Sequence, residues 1–160
     1  MALKKTNAAR ILDTLGIQYK IAEYEVDESD LSATHLAETI GQNVDIIFKT
    51  LVARGEKNGL AVFVIPGGDE LNLKAAAQAM GDKKVAMIQV KELLPLTGYI
   101  RGGCSHFGMK KNFPTYIHES VLNHPVVYVS AGVRGMQLIL SPQGLIKATG
   151  AKTWNLIERL

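Results

Sequence analysis

Apolar and polar residues alternate in several short runs along this chain and recur with a helical period in others. Strict alternation indicates strands with one buried face, and a spacing of three to four residues indicates amphipathic helices. The Asn58-Gly59 pair predicts a tight hairpin between two such runs, and residues 131–135 predict a second one. The predicted strands are, in chain order, Ile17–Val26, Ile46–Arg54, Leu60–Pro66, Lys84–Gln89, Thr115–His118, Pro125–Ser130 and Met136–Leu140.

The helical runs begin after residues whose side chains can accept hydrogen bonds from free main-chain N–H groups, and they end at glycines. A further helical turn is predicted at Lys91–Leu94, and the tail is expected to pack Trp154 and Ile157 against the body of the protein. The predicted N-caps are Thr6, Ser32, Asn72 and Ser141, and the corresponding helix ends lie at Gly16, at Ile40 before Gly41, at Gly81 and near Gly150.

Strands occur singly and in hairpins between helices, which differs from the regular strand–helix alternation of a doubly wound sheet. We therefore predict an α/β (α+β) fold with a mixed β-sheet, curled toward a barrel and flanked by helices. No repeat, linker or low-complexity segment divides the chain, so a single domain is predicted over residues 1–160.

Composition narrows the functional classes only slightly. Apolar residues make up 47% of the chain and charged residues 21%, and the net charge is +3, which is compatible with a polyanionic partner. No apolar run approaches the roughly 20 residues of a membrane-spanning helix, and the first residues do not resemble a secretory signal. The single cysteine, Cys104, excludes an internal disulfide and fits a reducing compartment, so we expect a cytoplasmic protein.

The Gly98–Pro114 segment has no periodicity of its own, and it contains Gly102, Gly103 and Gly108. Glycine lets main chain approach a ligand closely, so the segment is a candidate functional loop. A surface crossover between parts of the sheet is the alternative.

Lys49 lies on the apolar face of its predicted strand, together with Ile47 and Leu51. It must reach solvent, find an anion or lose its proton, and one reading is a fixed positive charge for a phosphate or a developing oxyanion. Ser130 ends another apolar strand and enters a turn that contains Arg134.

Several established chemistries are disfavoured by spacing. The sequence has no GxSxG elbow for a serine triad, and the glycine-rich segment matches neither a Walker P-loop nor a dinucleotide fingerprint. The spacing of the four histidines and the lone cysteine makes a metal site improbable.

Four segments in order resemble the YbaK/EbsC family of bacterial aminoacyl-tRNA deacylases, most typically Cys-tRNA(Pro) deacylases. These enzymes are related to the editing domain of bacterial prolyl-tRNA synthetases. The segments are FKTLV at Phe48–Val52, ELNLKAAAQAMG at Glu70–Gly81, GYIRGGCSHFGMKK at Gly98–Lys111 and YVSAGVRG at Tyr128–Gly135.

The resemblance implies a pocket for the aminoacylated 3′ end of tRNA(Pro), with no metal or other cofactor, no covalent protein nucleophile, and cleavage assisted by the thiol of the substrate. It also suggests prolyl-tRNA synthetase as a partner. By position it implies catalytic roles for Lys49, Gly102 and Gly103. It assigns substrate binding to Tyr24, Thr50 and Ser130. We predict Arg134, in the turn after Ser130, and His106, in the glycine-rich segment, as further substrate-binding residues.

One departure concerns His106, which stands where the family loop, of the form GGxSPxG, tends to carry proline. His106 could act as a base for water and shift the mechanism from thiol assistance to hydrolysis. Two alternatives therefore stay open: a deacylase for another small amino acid such as alanine, and a tRNA- or synthetase-binding module without turnover.

Overall fold

The computed structural model describes residues 6–99 and 113–157 of the chain. Within these residues, five helices and eight strands form a mixed α/β fold, as predicted. The helices are α1 (Asn7–Thr14), α2 (Ala33–Ile40), α3 (Leu73–Met80), α4 (Val90–Thr97) and α5 (Pro142–Thr149). The strands are β1 (Lys20–Glu23), β2 (Phe48–Gly55), β3 (Gly59–Pro66), β4 (Val85–Met87), β5 (Thr115–His118), β6 (Val127–Ser130), β7 (Met136–Leu140) and β8 (Lys152–Trp154).

The four predicted N-caps are confirmed, and each side-chain oxygen accepts a hydrogen bond from the first turn of its helix. Thr6 accepts from the Ala9 N–H at 3.2 Å, and Asn72 accepts from the Lys74 N–H at 3.0 Å. Ser32 and Ser141 act in the same way on α2 and α5. These contacts satisfy main-chain donors that have no partner inside the helix, which is why the helix starts were readable in the sequence.

The strands divide between two sheets, and neither closes into a barrel within the residues described. One sheet has three strands in the order β1-β7-β6, all antiparallel. The other has five strands in the order β4-β2-β3-β5-β8, with β5 parallel to both β3 and β8. A parallel bridge between Ile47 and Tyr128 joins the two sheets near the start of β2.

The apolar faces of these sheets make three buried clusters. Even-numbered β2 residues such as Phe48 and Val52 face the cluster shared with β6, β7, α1 and α5. Odd-numbered residues such as Ala53 lie on the opposite face, which α3 covers. Helix α2 covers the junction of the two sheets, where Ala37 packs with Ile47 and Tyr128. Strand β3 is apolar on both faces because both are covered.

Several predicted boundaries shift for local reasons. Strand β1 is shorter than Ile17–Val26, since Ile17 still donates to Leu12 O at 3.0 Å and closes the end of α1. Strand β2 begins at Phe48 instead of Ile46, because Val44–Ile46 forms a 3₁₀ turn capped by Asn43.

The predicted turn at Lys91–Leu94 is a full helix, α4. It is stabilised at its start by Glu92, whose carboxylate accepts from the Gln89 N–H at 2.8 Å. The tail prediction is right for Ile157, which is buried, but wrong for Trp154, which remains 40% exposed. Trp154 lies on β8, the last strand of its sheet, and no further described strand covers it.

Candidate functional site: a cavity at an open strand edge

Strand β2 has one edge that is only partly paired. Its other edge runs antiparallel to β3 from Phe48 to Gly55. On the partly paired edge, β6 reaches it at Ile47 and β4 reaches it at Ala53–Gly55. No described strand forms a ladder with the residues between these two contacts. A cavity of about 390 Å³ occupies this gap, and its walls include Ser32, Leu36, Lys49, Thr50, Ser130 and Gln137.

Strand register places three of these polar residues in one row. Ile47 is level with Tyr128, so two residues further along the parallel strands Lys49 is level with Ser130. Ser130 is in turn paired with Gln137 across the β6–β7 ladder. Laterally aligned residues point to the same face of a sheet, and neighbouring strands lie about 4.8 Å apart. Lys49, Ser130 and Gln137 therefore share one face, beside the apolar row of Ile47, Tyr128 and Ile139.

Lys49 is half-buried at the wall of the cavity. Burial lowers the pKa of its ammonium group, and the nearby carboxylates of Glu70 and Asp69 act in the opposite direction. Burial disfavours the charged form of a lysine, while neighbouring negative charge restores it. The site thus holds a partly desolvated cation, whose interaction with an anion is stronger than in bulk water.

The side chain and the main-chain groups of Thr50 face different parts of the structure. Its side chain lies on the face of Phe48 and Val52, toward the core between the sheets. The Val52 carbonyl accepts from the Ile88 N–H at 3.3 Å, so even-numbered β2 residues direct their main-chain groups toward the partly paired edge. Within the described residues, the main-chain N–H and C=O of Thr50 therefore point to the gap between β6 and β4.

Ser130 is held by the turn that follows it. Its Oγ accepts a hydrogen bond from the Gly132 N–H at 3.1 Å, and Gly132 has a φ of +100°. A side chain at Gly132 would be strained by this φ and would also press on the ring of Tyr99. The glycine in the turn therefore fixes the position of Ser130 at the cavity wall.

Gln137 is the residue that sequence reasoning missed. Its side chain is 3% exposed, it lies on the cavity wall, and its Oε1 has no hydrogen-bond partner in the described part of the structure. The signal was the same as for Lys49, a polar residue within an apolar strand, here MQLIL at Met136–Leu140.

Tyr24 and Arg134 lie apart from this cavity, in a smaller adjoining concavity. The Tyr24 N–H donates to Gly135 O at 3.0 Å, and Arg134 Nη1 is 3.9 Å from Glu28 Oε1. His35 lies in the same concavity, 3.7 Å from an oxygen of Asp27. The two concavities share Leu31, Ser32 and Leu36 as a common wall.

The structure brings together Lys49, Thr50 and Ser130, and separates Tyr24 and Arg134 from them. Gly102, Gly103 and His106 lie outside the described residues. No group of three or more histidine, cysteine, aspartate or glutamate side chains within residues 6–99 and 113–157 is arranged to hold a metal ion. In the same ranges, no helix combines the length and apolar character needed to cross a bilayer.

Comparison with known proteins identifies the class. Residues 28–148 match the family model described as the aminoacyl-tRNA editing domain. The chain therefore belongs to the aminoacyl-tRNA editing domain family.

Individual relatives agree with this assignment. The chain is 48% identical over 149 residues to a protein of Enterococcus faecalis (strain ATCC 700802 / V583) named "Putative Cys-tRNA(Pro)/Cys-tRNA(Cys) deacylase EbsC", covering 93% of this chain and 91% of that protein. It is 29% identical over 130 residues to "Uncharacterized protein YwhH" of Bacillus subtilis (strain 168), covering 81% and 82% of the two chains.

A solved structure described as "a putative trans-editing enzyme for prolyl tRNA synthetase" has the same fold. It superposes with a TM-score of 0.83 at 29% identity, over 98% of this chain and all of the other. The predicted family and fold class are confirmed, and so is the prediction of an enzyme that deacylates mischarged aminoacyl-tRNA.

Proposed function

We propose that this protein acts in trans on Cys-tRNA(Pro), releasing cysteine that was attached to the wrong tRNA, and that residues 1–160 act as one domain in doing so. The observation that carries the proposal is the half-buried Lys49 at a cavity on an open strand edge. Support for cysteine comes from the relative of 48% identity, whose name specifies Cys-tRNA. Support for the proline system comes from the structural neighbour linked to prolyl-tRNA synthetase.

The aminoacyl ester is already activated, so the protein's task is positioning and charge stabilisation. In the proposed reaction the cysteine sulfur of the substrate attacks its own ester carbonyl. A carbon–sulfur bond forms, the bond from that carbon to the ribose oxygen breaks, and the thiol proton ends on the released ribose hydroxyl. Water then opens the cyclic thioester to give free cysteine.

Lys49 is proposed to stabilise the negative charge that develops on the ester oxygen, because a partly desolvated cation interacts strongly with an anion. Thr50 and Ser130 are proposed to line the aminoacyl site beside it. Gly102 and Gly103 are proposed to offer main-chain N–H groups to the ester, with His106 close to the substrate.

Tyr24 and Arg134 are proposed to contact the nucleotide end of the substrate from the adjoining concavity. The net charge of +3 supports a salt-sensitive hold on the acceptor stem, and prolyl-tRNA synthetase is the proposed partner that delivers the tRNA.

The test is amino-acid release from Cys-tRNA(Pro), Ala-tRNA(Pro) and S-methylcysteinyl-tRNA(Pro) by the wild type, Lys49→Ala and the exposed-lysine control Lys74→Ala. Release of only the free-thiol amino acid, lost in Lys49→Ala and kept in Lys74→Ala, is the expected result. Equal release of alanine or S-methylcysteine would replace thiol assistance with an activated water, and His106→Ala would then identify the base. No release of any amino acid by the wild type would leave only a binding function.

A further inference from the structure

The buried side-chain amide of Gln137 lies on the wall of the cavity and has a hydrogen-bond acceptor that no described residue satisfies. Its side chain is 3% exposed, and Oε1 has no hydrogen-bond partner among the residues described. Buried acceptors in native proteins nearly always have partners, because water has been lost and must be replaced. Among the residues described, the other such atom is Ser120 Oγ, and Ser120 does not line the cavity.

The residues beside Gln137 in the sheet do not donate a hydrogen bond to its Oε1. Its partners in the sheet register are Ser130 on one side and Ala22 on the other. The Ser130 hydroxyl accepts from the Gly132 N–H and donates no hydrogen bond to this oxygen, and alanine offers no donor in its side chain. Gln137 therefore carries an acceptor, unused by the described residues, at a position that lines the cavity.

The charges around the cavity indicate which donor this molecule brings. Lys49 lines the cavity, and no aspartate or glutamate belongs to the described lining. The aminoacyl part of the ester carries one strong donor, its α-amino group, and a carboxylate placed to receive it would also pair with Lys49. An amide oxygen can accept the same hydrogen bond without neutralising the lysine.

We propose that Gln137 is a substrate-binding residue whose Oε1 accepts a hydrogen bond from the α-amino group of the aminoacyl ester. This inference rests on the proposed function, and it assigns the amino-acid recognition of that site to β7. Holding the amino group at one end of the row Gln137–Ser130–Lys49 directs the ester carbonyl toward Lys49. The same contact disfavours esters whose amino group is acylated, since an amide nitrogen has fewer donors and more bulk.

The experiment compares Cys-tRNA(Pro) with 3-mercaptopropionyl-tRNA(Pro), which keeps the thiol and lacks the amino group. The enzymes are the wild type, Gln137→Met, which keeps the length of the side chain and removes the acceptor, and the exposed control Gln78→Met. We expect Gln137→Met to lower kcat/KM for Cys-tRNA(Pro) by about 10- to 100-fold, the range for a hydrogen bond to a charged group. For the substrate without the amino group, its kcat/KM should stay within about threefold of wild type, so the two losses are not additive.

Stability provides the control for folding. Because Gln137→Met removes an acceptor that has no partner, its Tm should equal or exceed that of the wild type. The wild type alone gives a second measurement, since it should prefer Cys-tRNA(Pro) over the substrate without the amino group by a similar factor.

The possible failures are distinguishable. If the wild type cleaves neither substrate, the proposed function fails and the inference fails with it. If the wild type cleaves both substrates equally well, or if Gln137→Met loses the same factor on both, the role of Gln137 is overturned while the deacylase proposal stands.

Discussion

The two parts of strand β2 differ sharply in how fully their polar groups are paired. At the hairpin end, β2 is paired on both sides, with β3 and β4. The carboxylate of Asp82 accepts from the Asn58 N–H at 2.8 Å and from the Lys57 and Lys83 N–H groups at 3.1 and 2.7 Å. The Asn58 amide then donates to Met80 O at 2.9 Å, so the turn is attached to the end of α3.

A few residues earlier, the same strand keeps groups without such pairing. Lys49 is half-buried and loses hydration, the Thr50 main chain faces a gap between strands, and Gln137 Oε1 nearby lacks a partner in the described structure. The comparison teaches that β2 is stabilised at one end and left available to a ligand in the middle. Proteins commonly give up stability at a binding site in this way.

The largest effect is expected from removing the side-chain charge of Lys49, in the partly paired part of β2. Lys49→Met keeps the length of the side chain and should lower kcat/KM for the deacylation by about 10²- to 10³-fold, as loss of one electrostatic stabiliser does. Its Tm should not fall, because a half-buried ammonium is replaced by an apolar group. Deacylation kinetics and thermal unfolding check both parts, and a fully active Lys49→Met would show that the charge has no catalytic role.

The next largest effect concerns the hairpin end of β2, where Gly55 lies against the side chain of Asp82. A Cβ at Gly55 would overlap the Asp82 carboxylate and lie 3.0 Å from Met80 Cε. Gly55→Ala should therefore lower the free energy of unfolding by about 1–3 kcal/mol, as overpacking does. Urea unfolding measures this change, and the deacylase activity of the folded protein should remain.

A double-mutant cycle sharpens the result for Gly55. In an Asp82→Ala background the overlapping carboxylate is gone, so Gly55→Ala should cost less than it does in the wild type. Equal costs in both backgrounds would mean that the contact with Asp82 is not the cause.

The main chain of Thr50 gives a smaller expected effect. Proline is tolerated at a strand edge whose N–H is not part of a ladder, so Thr50→Pro should fold. Thr50→Pro should lower kcat/KM about 2- to 10-fold, because the Thr50 N–H can no longer donate a hydrogen bond to the substrate. Thr50→Val keeps this N–H, so its kcat/KM should fall less. Replacing Thr50 by its α-hydroxy acid removes the N–H without the proline ring. Unchanged kinetics in that protein would exclude a contact through this group.

The smallest expected effect is a pH dependence of the stability that Asp82 contributes at the hairpin end of β2. Hydrogen bonds from the main chain, Asn58 first, hold the pKa of Asp82 below its ordinary value of 3.8. The unfolded state then binds more protons near that pH, so the contribution of Asp82 is fully present above pH 3.8 and is lost as the pH falls through the lowered pKa. Urea unfolding between about pH 6 and pH 2.5 should show the gap between wild type and Asp82→Asn narrowing toward acid. A gap that does not change with pH would contradict this assignment.

Local signals were sufficient for most elements of the fold. The caps Thr6, Ser32, Asn72 and Ser141 and the Asn58-Gly59 turn act within three or four residues of chain, so their sequence patterns have one structural outcome. Lys49 was recognisable because its strand periodicity put a cation on an apolar face.

The tertiary contacts between these elements could not be predicted from local sequence signals. Ser130 comes level with Lys49 only because β6 bridges β2 at Ile47, across about 80 residues of chain. Trp154 resembles a core residue in sequence, but the edge position of β8 leaves it exposed. The separation of Tyr24 and Arg134 from the main cavity likewise depends on how the β6–β7 turn sits beside β1.

The sequence by itself determined most of the helices and strands, and its motifs identified the family and the candidate lysine. Only the tertiary structure decided that one edge of β2 remains open between β6 and β4, and that Gln137, whose buried oxygen has no partner among the described residues, lines the cavity there. The physical reason is that helix caps and turns are satisfied by neighbours in the chain. The partners of a strand edge and of a buried amide come from distant residues, and their absence becomes visible only when the sheets are assembled.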